Sequence, residues 1–120
     1  SGGEPLQQIR PLLQLLQRLR NETGLSVLLF SGYTRNEIER IPMGKHLLTL
    51  LDVLIAGRYL QDQPGKGGLL GSSNQQIYYL TQRYSAKDIE RTPPAEVILT
   101  PDGEILLSGI QPLHLDELSD

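Results

Sequence analysis

Leu25-Ser26-Val27-Leu28-Leu29-Phe30 is a nearly unbroken apolar run of strand length. Without polar alternation, such a run suits a strand buried on both faces of a parallel sheet. It ends in Ser31-Gly32-Tyr33, and the residues before it read as helix. Leu12, Leu13, Leu15, Leu16 and Leu19 recur at helical spacing through Arg20, with Pro11 at the first position of the helix and Gly24 supplying the stop. Leu6 to Arg10 forms a short turn ahead of Pro11. On the far side of the strand, Thr34 and Glu37 have the spacing of a capping box, which predicts a short helix to Ile41, stopped by Pro42. Leu47, Leu48, Leu50 and Leu51 continue a second helical stretch. Asp52-Val53-Leu54-Ile55-Ala56-Gly57 is then another short buried strand with a glycine at its carboxyl end.

The rest of the chain extends this alternation. Residues 61–73 hold Pro64, Gly65, Gly67, Gly68 and Gly71, too glycine-rich to pack, and a loop of that kind inside a compact unit is often functional. Gln75-Gln76-Ile77-Tyr78-Tyr79-Leu80 reads as a third strand. After Pro93-Pro94, the segments Glu96 to Thr100 and Glu104 to Ser108, joined by Pro101-Asp102-Gly103, predict a β-hairpin. The tail from His114 to Asp120 is acidic and expected to fray. The expected fold is therefore α/β, a fragment of mostly parallel strands in right-handed βαβ units with a C-terminal β-hairpin. In such units ligand sites lie at the carboxyl ends of strands. Three loops qualify: Ser31-Gly32-Tyr33, Gly57-Arg58-Tyr59 and the Gly71-Ser72-Ser73-Asn74 approach to the third strand. Ser1-Gly2-Gly3-Glu4-Pro5, just ahead of the first helix, would share that rim if a strand preceded it. A strand missing there would leave a sheet edge unpaired, with self-association as the expected consequence.

Composition narrows the function classes. The 120 residues are 38% hydrophobic, enough for one modest core and too few for two domains. The expected organisation is βα units over 1–80, the hairpin over 94–110 and an acidic tail over 111–120. A net charge of −3 with scattered Lys and Arg argues against nucleic acid as a partner. No apolar run is long enough to span a bilayer and no signal-peptide pattern is present, so a cytoplasmic location is expected. The chain has no cysteine and thus no disulfide, thiolate metal site or cluster ligand of its own. His46 and His114 lack metal-binding spacing, and no Ser-His-Asp, zinc or phosphate-loop pattern occurs, so no catalytic or metal-binding residue is expected in the chain itself.

Ser1-Gly2-Gly3-Glu4-Pro5, Phe30-Ser31-Gly32-Tyr33-Thr34, Asp52-Val53-Leu54-Ile55-Ala56-Gly57 and Gly71-Ser72-Ser73-Asn74-Gln75, in this order and spacing, resemble the radical S-adenosylmethionine activating enzymes. The likeness is greatest to the branch that acts on anaerobic ribonucleoside-triphosphate reductase, and it spans nearly the whole chain. It implies a partial (β/α) barrel in which a [4Fe-4S] cluster, held by a three-cysteine loop, chelates S-adenosylmethionine. Cleavage of the sulfonium then yields a 5'-deoxyadenosyl radical that abstracts hydrogen from a glycine of the partner, a glycyl-radical enzyme. In that family the Gly-Gly-Glu motif meets the methionyl amino group, a role that would fall on Gly2, Gly3 and Glu4. Glycine carbonyls can approach an ammonium closely and a carboxylate suits a cationic ligand. Ser31 and Gly32 would contact the ribose or methionyl part, and Asn74 and Gln75 would bond the cofactor or fix the loop. Asp52, in the third motif, is the remaining cofactor-facing candidate.

Each of these residues also has a plain structural reading. Glu4 ahead of a helix is favourable against the macrodipole whatever it binds. Asp52 can cap its strand or pair with a cation, Arg58 can meet a carboxylate or phosphate or simply face solvent, and Tyr33, Tyr59, Tyr78 and Tyr79 suit half-buried packing. Two departures from the family pattern stand out. Relatives usually carry an acidic residue before the glycine of the third motif, where this chain has Ala56, and the cysteine loop is absent. The sequence is thus expected to be the carboxyl-terminal part of such an activase, divided at its Gly-Gly-Glu motif, inert by itself and binding no cofactor alone. The rival expectation is a cysteine-free docking or binding module derived from the same fold.

Overall fold

The computed structural model describes residues 4–58, 74–85, 95–107 and 113–114. A single 3-10 turn, Pro5–Gln8, leads into α1, Ile9–Glu22. Strand β1, Val27–Ser31, is followed by α2, Arg35–Arg40, and α3, Gly44–Leu48. Then come β2, Val53–Ala56; β3, Gln76–Tyr79; β4, Val97–Leu99; β5, Glu104–Leu107; and the two-residue β6, Leu113–His114. The six strands form one sheet in the order β3-β2-β1-β4-β5-β6.

The apolar run that opens the sequence lies at the sheet's centre. Val27, Leu28 and Leu29 are completely buried, as are Val53, Leu54 and Ile55 of β2. Alternation sorts them between two faces. Val27, Leu29 and Leu54 join Leu12, Leu13 and Leu16 of α1, Ile38 of α2 and Leu47 and Leu48 of α3 in the larger core. Leu28, Val53 and Ile55 face the other way, with Ala95, Phe30, Ile77 and Ile98. Each fully buried leucine or valine is worth about 1.5–3 kcal/mol relative to exposure, so burial on two faces gives β1 its central place.

Several sequence expectations need correction. The strands are not mostly parallel. β1 pairs in parallel with β2 and β4, whereas β2–β3, β4–β5 and β5–β6 are antiparallel. Parallel neighbours need a covering crossover, which α2 and α3 supply between β1 and β2; the hairpin needs only a tight turn. β3 is half exposed along its length, a pattern that antiparallel strands tolerate. β4 lies beside β1, with its Val97 and Leu99 buried there, and β3 and β6 are the outer strands of the sheet. Among the described residues no pairing joins β3 to β6, and the sheet is open.

Element boundaries shift for local reasons. Pro11 lies within the first turn of α1, where its missing N–H is one of the donors that lack an intrahelical partner anyway. Thr23, not Gly24, ends that helix. Its extended backbone breaks the repeat, and its N–H and hydroxyl both donate to the Leu19 carbonyl, at 3.0 and 2.6 Å. The capping box of α2 forms as the sequence implies, Glu37 N–H to Thr34 Oγ1 at 3.2 Å and Thr34 N–H to Glu37 Oε1 at 2.9 Å. The hairpin also forms, with Val97 opposite Leu107 and Leu99 opposite Ile105. His114 belongs to β6 rather than to a frayed tail. The acidic stretch 115–120 and the whole glycine-rich loop 61–73 lie outside the described residues.

Candidate functional site

Ser31, Ala56 and Gln76 stand side by side in the sheet register, so the carboxyl ends of β1 and β2 meet the amino end of β3 on one rim. The reversal of β3 is what brings Asn74 and Gln75 there. Gly57, just past β2, donates its N–H to the carbonyls of Ser31 and Tyr33 at 3.1 and 3.0 Å. Its φ of 120° lies in the region that favours glycine, and a Cβ on it would stand 2.9 Å from the Asn74 carbonyl. The Gln75 side chain donates to the Gly57 carbonyl at 3.3 Å, and the Asn74 side-chain amide donates to the Arg58 carbonyl. Both side chains thus bond the backbone that follows β2.

Glu4 reaches the same rim from the start of the chain. Its Oε1 accepts from Gly32 N–H at 2.6 Å, and its Oε2 accepts from Ser31 Oγ at 3.0 Å and Leu6 N–H at 3.1 Å. Ser31 Oγ in turn accepts from Tyr33 N–H at 3.0 Å. Glu4, Ser31, Gly32 and Asn74 are thus brought together, while Gly2 and Gly3 lie outside the described residues.

The structure does not bring Asp52 to them. It precedes β2, opposite Val27, and so lies at the other end of the sheet, about 13 Å of strand away at the usual rise per residue. There it is buried, accepting from Val27 N–H at 2.8 Å and Thr81 Oγ1 at 2.7 Å, with Arg20 at 3.1 Å and Arg83 at 3.6 Å. The cation-pairing reading of this residue describes its surroundings.

One rim feature is not evident in the sequence. Arg58 grips the α2 capping residue, Nη1 to Glu37 Oε1 at 2.8 Å and Nη2 to Glu37 Oε2 at 3.1 Å. The guanidinium first, and the Thr34 N–H after it, hold the Glu37 carboxyl at about 2 against its usual 4.5; the same pairing raises the Arg58 pKa. The residues are 21 apart, a separation no local rule joins. The available signal was an arginine directly after the strand-end glycine.

His46 bonds to Gln17 across the α1–α3 groove at 3.1 Å, and among the described residues no three His, Cys, Asp or Glu side chains cluster to hold a metal. No described helix is long and apolar enough to cross a membrane.

The chain is thus an α/β sheet with a glycine-bearing rim at the ends of its strands. The chain belongs to the 4Fe-4S single cluster domain family, which matches residues 1–78. It is similar to the anaerobic ribonucleoside-triphosphate reductase-activating protein of Vibrio cholerae serotype O1, 35% identical over 85 residues, 68% of this chain and 54% of that one. The protein of the same name from Pasteurella multocida is 33% identical over 86 residues, 68% of this chain and 54% of its own, and that from Haemophilus influenzae 32% over 82 residues, 65% and 52%. The chain spans about half the length of these curated relatives. No solved structure matches it. Cluster irons are bound chiefly by cysteine thiolates, and this sequence has none, so its own residues do not fit a [4Fe-4S] cluster.

Proposed function

We propose that these residues form the S-adenosylmethionine-facing part of a cytoplasmic glycyl-radical activating enzyme, an oxidoreductase acting on anaerobic ribonucleotide reductase. The reading rests on one observation: motif residues from three separate stretches, Glu4, Ser31-Gly32 and Asn74, converge on a single rim in a chain similar to proteins named as activators of that reductase. The enzyme would be a partial (β/α) barrel, and its [4Fe-4S] cluster would need ligands other than those this sequence supplies. Within the site, backbone carbonyls at the Gly-Gly-Glu motif would receive the methionyl ammonium. Gly57, lacking a side chain, lets the Asn74 backbone approach closely, and Gly32 leaves room for the Glu4 carboxylate.

The absence of cysteine favours one alternative, a non-catalytic docking module on the same fold. A single experiment separates the two. The natural protein, reconstituted anaerobically with iron and sulfide, is given S-adenosylmethionine, a low-potential reductant and anaerobic ribonucleotide reductase. Electron paramagnetic resonance is expected to show a glycyl radical on the reductase that depends on both protein and S-adenosylmethionine. Its absence, with the reductase proven activatable by another activase, would favour the docking module.

A further inference from the structure

Glu4 is engaged within the protein. Two backbone N–H groups and one hydroxyl converge on its carboxylate, and the 2.6 Å bond from Gly32 has the short length of a charge-assisted hydrogen bond. A Cβ at Gly32 would stand 3.3 Å from Glu4 Oε1, so a side chain there would press on the carboxylate. The bonds also continue inward. Ser31 Oγ passes from Glu4 to Tyr33 N–H, and the Ser31 and Tyr33 carbonyls both receive Gly57 N–H, so Glu4 is tied through β1 to the end of β2.

From this network we infer that Glu4 is a positioning residue, whose carboxylate clamps the start of the Pro5–Gln8 turn to the end of β1 instead of meeting the ligand's ammonium. The inference rests on the proposed function only for the identity of the ligand. Glutamine cannot replace the clamp. Its single oxygen serves either Gly32 or the Leu6–Ser31 pair, and its NH2 then faces a donor on the other side. A direct contact to an ammonium would still find the amide oxygen of glutamine and would act independently of Ser31.

The test uses S-adenosylmethionine binding to the cluster-loaded natural protein by calorimetry, with hydrogen exchange at the Gly32 amide. Glu4→Gln and Glu4→Ala are expected to weaken binding alike, by about tenfold, and to speed Gly32 exchange. Ser31→Ala should lose less, and Glu4→Ala with Ser31→Ala no more than Glu4→Ala alone, because both remove one unit. Leu16→Ala, a core change away from the rim, should lower stability without changing affinity, which separates clamping from general loosening. Additive losses in the double variant, or unchanged Gly32 exchange in Glu4→Ala, would overturn the inference. If the unsubstituted protein binds no S-adenosylmethionine, the proposed function fails and the Gly32 exchange alone decides the clamp.

Discussion

Asp52 and Glu4 are both carboxylates that accept backbone hydrogen bonds, yet they serve opposite ends of one sheet. Asp52 has no exposed surface on its side chain and joins α1 through Arg20, β1 through Val27 and the segment after β3 through Thr81 and Arg83. Asp52→Ala strands these donors together with the partly buried Arg20. It is expected to lower unfolding free energy by about 3 kcal/mol in urea titration. Binding at the rim should be unaffected in the folded fraction, and a change below about 0.5 kcal/mol would show that the hub is dispensable. The sequence marks Asp52 as a motif residue but gives no indication of which end of the strand it serves. Arg20 lies 32 positions earlier, and only the parallel register of β1 on β2 brings the two together. Ser31 and Gly32 were legible because a buried apolar run ends in small residues there.

At the scale of elements, α2 depends on its first turn. With only six residues it makes few hydrogen bonds of its own, and the capping box and Arg58 fix its start. Glu37 titrates at about 2 in the folded chain against an ordinary 4.5. A depressed carboxylate contributes stability that is complete above its unfolded pKa and is lost as pH falls toward the folded one. The contribution is therefore present at neutral pH and disappears between about 4.5 and about 2. Both side chains are roughly half exposed, so added salt should weaken the pair. Carbon NMR of the Glu37 carboxyl is expected to give a midpoint near 2, rising toward the ordinary value in Arg58→Gln; an unchanged midpoint would remove Arg58 as the cause. The helices, β1, β2 and the hairpin were readable from periodicity, caps and turn residues. The direction of β3 was not, because a four-residue strand presents the same alternation whichever way it runs.

For the whole molecule, the open order β3-β2-β1-β4-β5-β6 sets the rim on three neighbouring strands, while these 120 residues supply no cysteine thiolate to a cluster. The 120 residues alone are accordingly expected to bind S-adenosylmethionine with a Kd weaker than about 1 µM by calorimetry, and a tighter value would refute the assignment of the main contacts to the cluster. Strand order was only half legible. The crossover from β1 to β2 follows from the intervening helices, but a terminal hairpin returning to lie beside β1 depends on contacts some 70 residues apart, such as Val27 with Val97.

The reversal of β3 brings together the two ends of the stretch between β2 and β3. That stretch leaves the sheet at Arg58 and returns at Asn74, and these two residues are bonded to each other. The two residues that bound this stretch are thus fastened to one another. Closing a longer connection costs about 0.6 kcal/mol for each doubling of its length. The spacing of the rim is thus set by Gly57, Arg58, Asn74 and Gln75 themselves, so a change in the number of residues between Arg58 and Asn74 need not alter it.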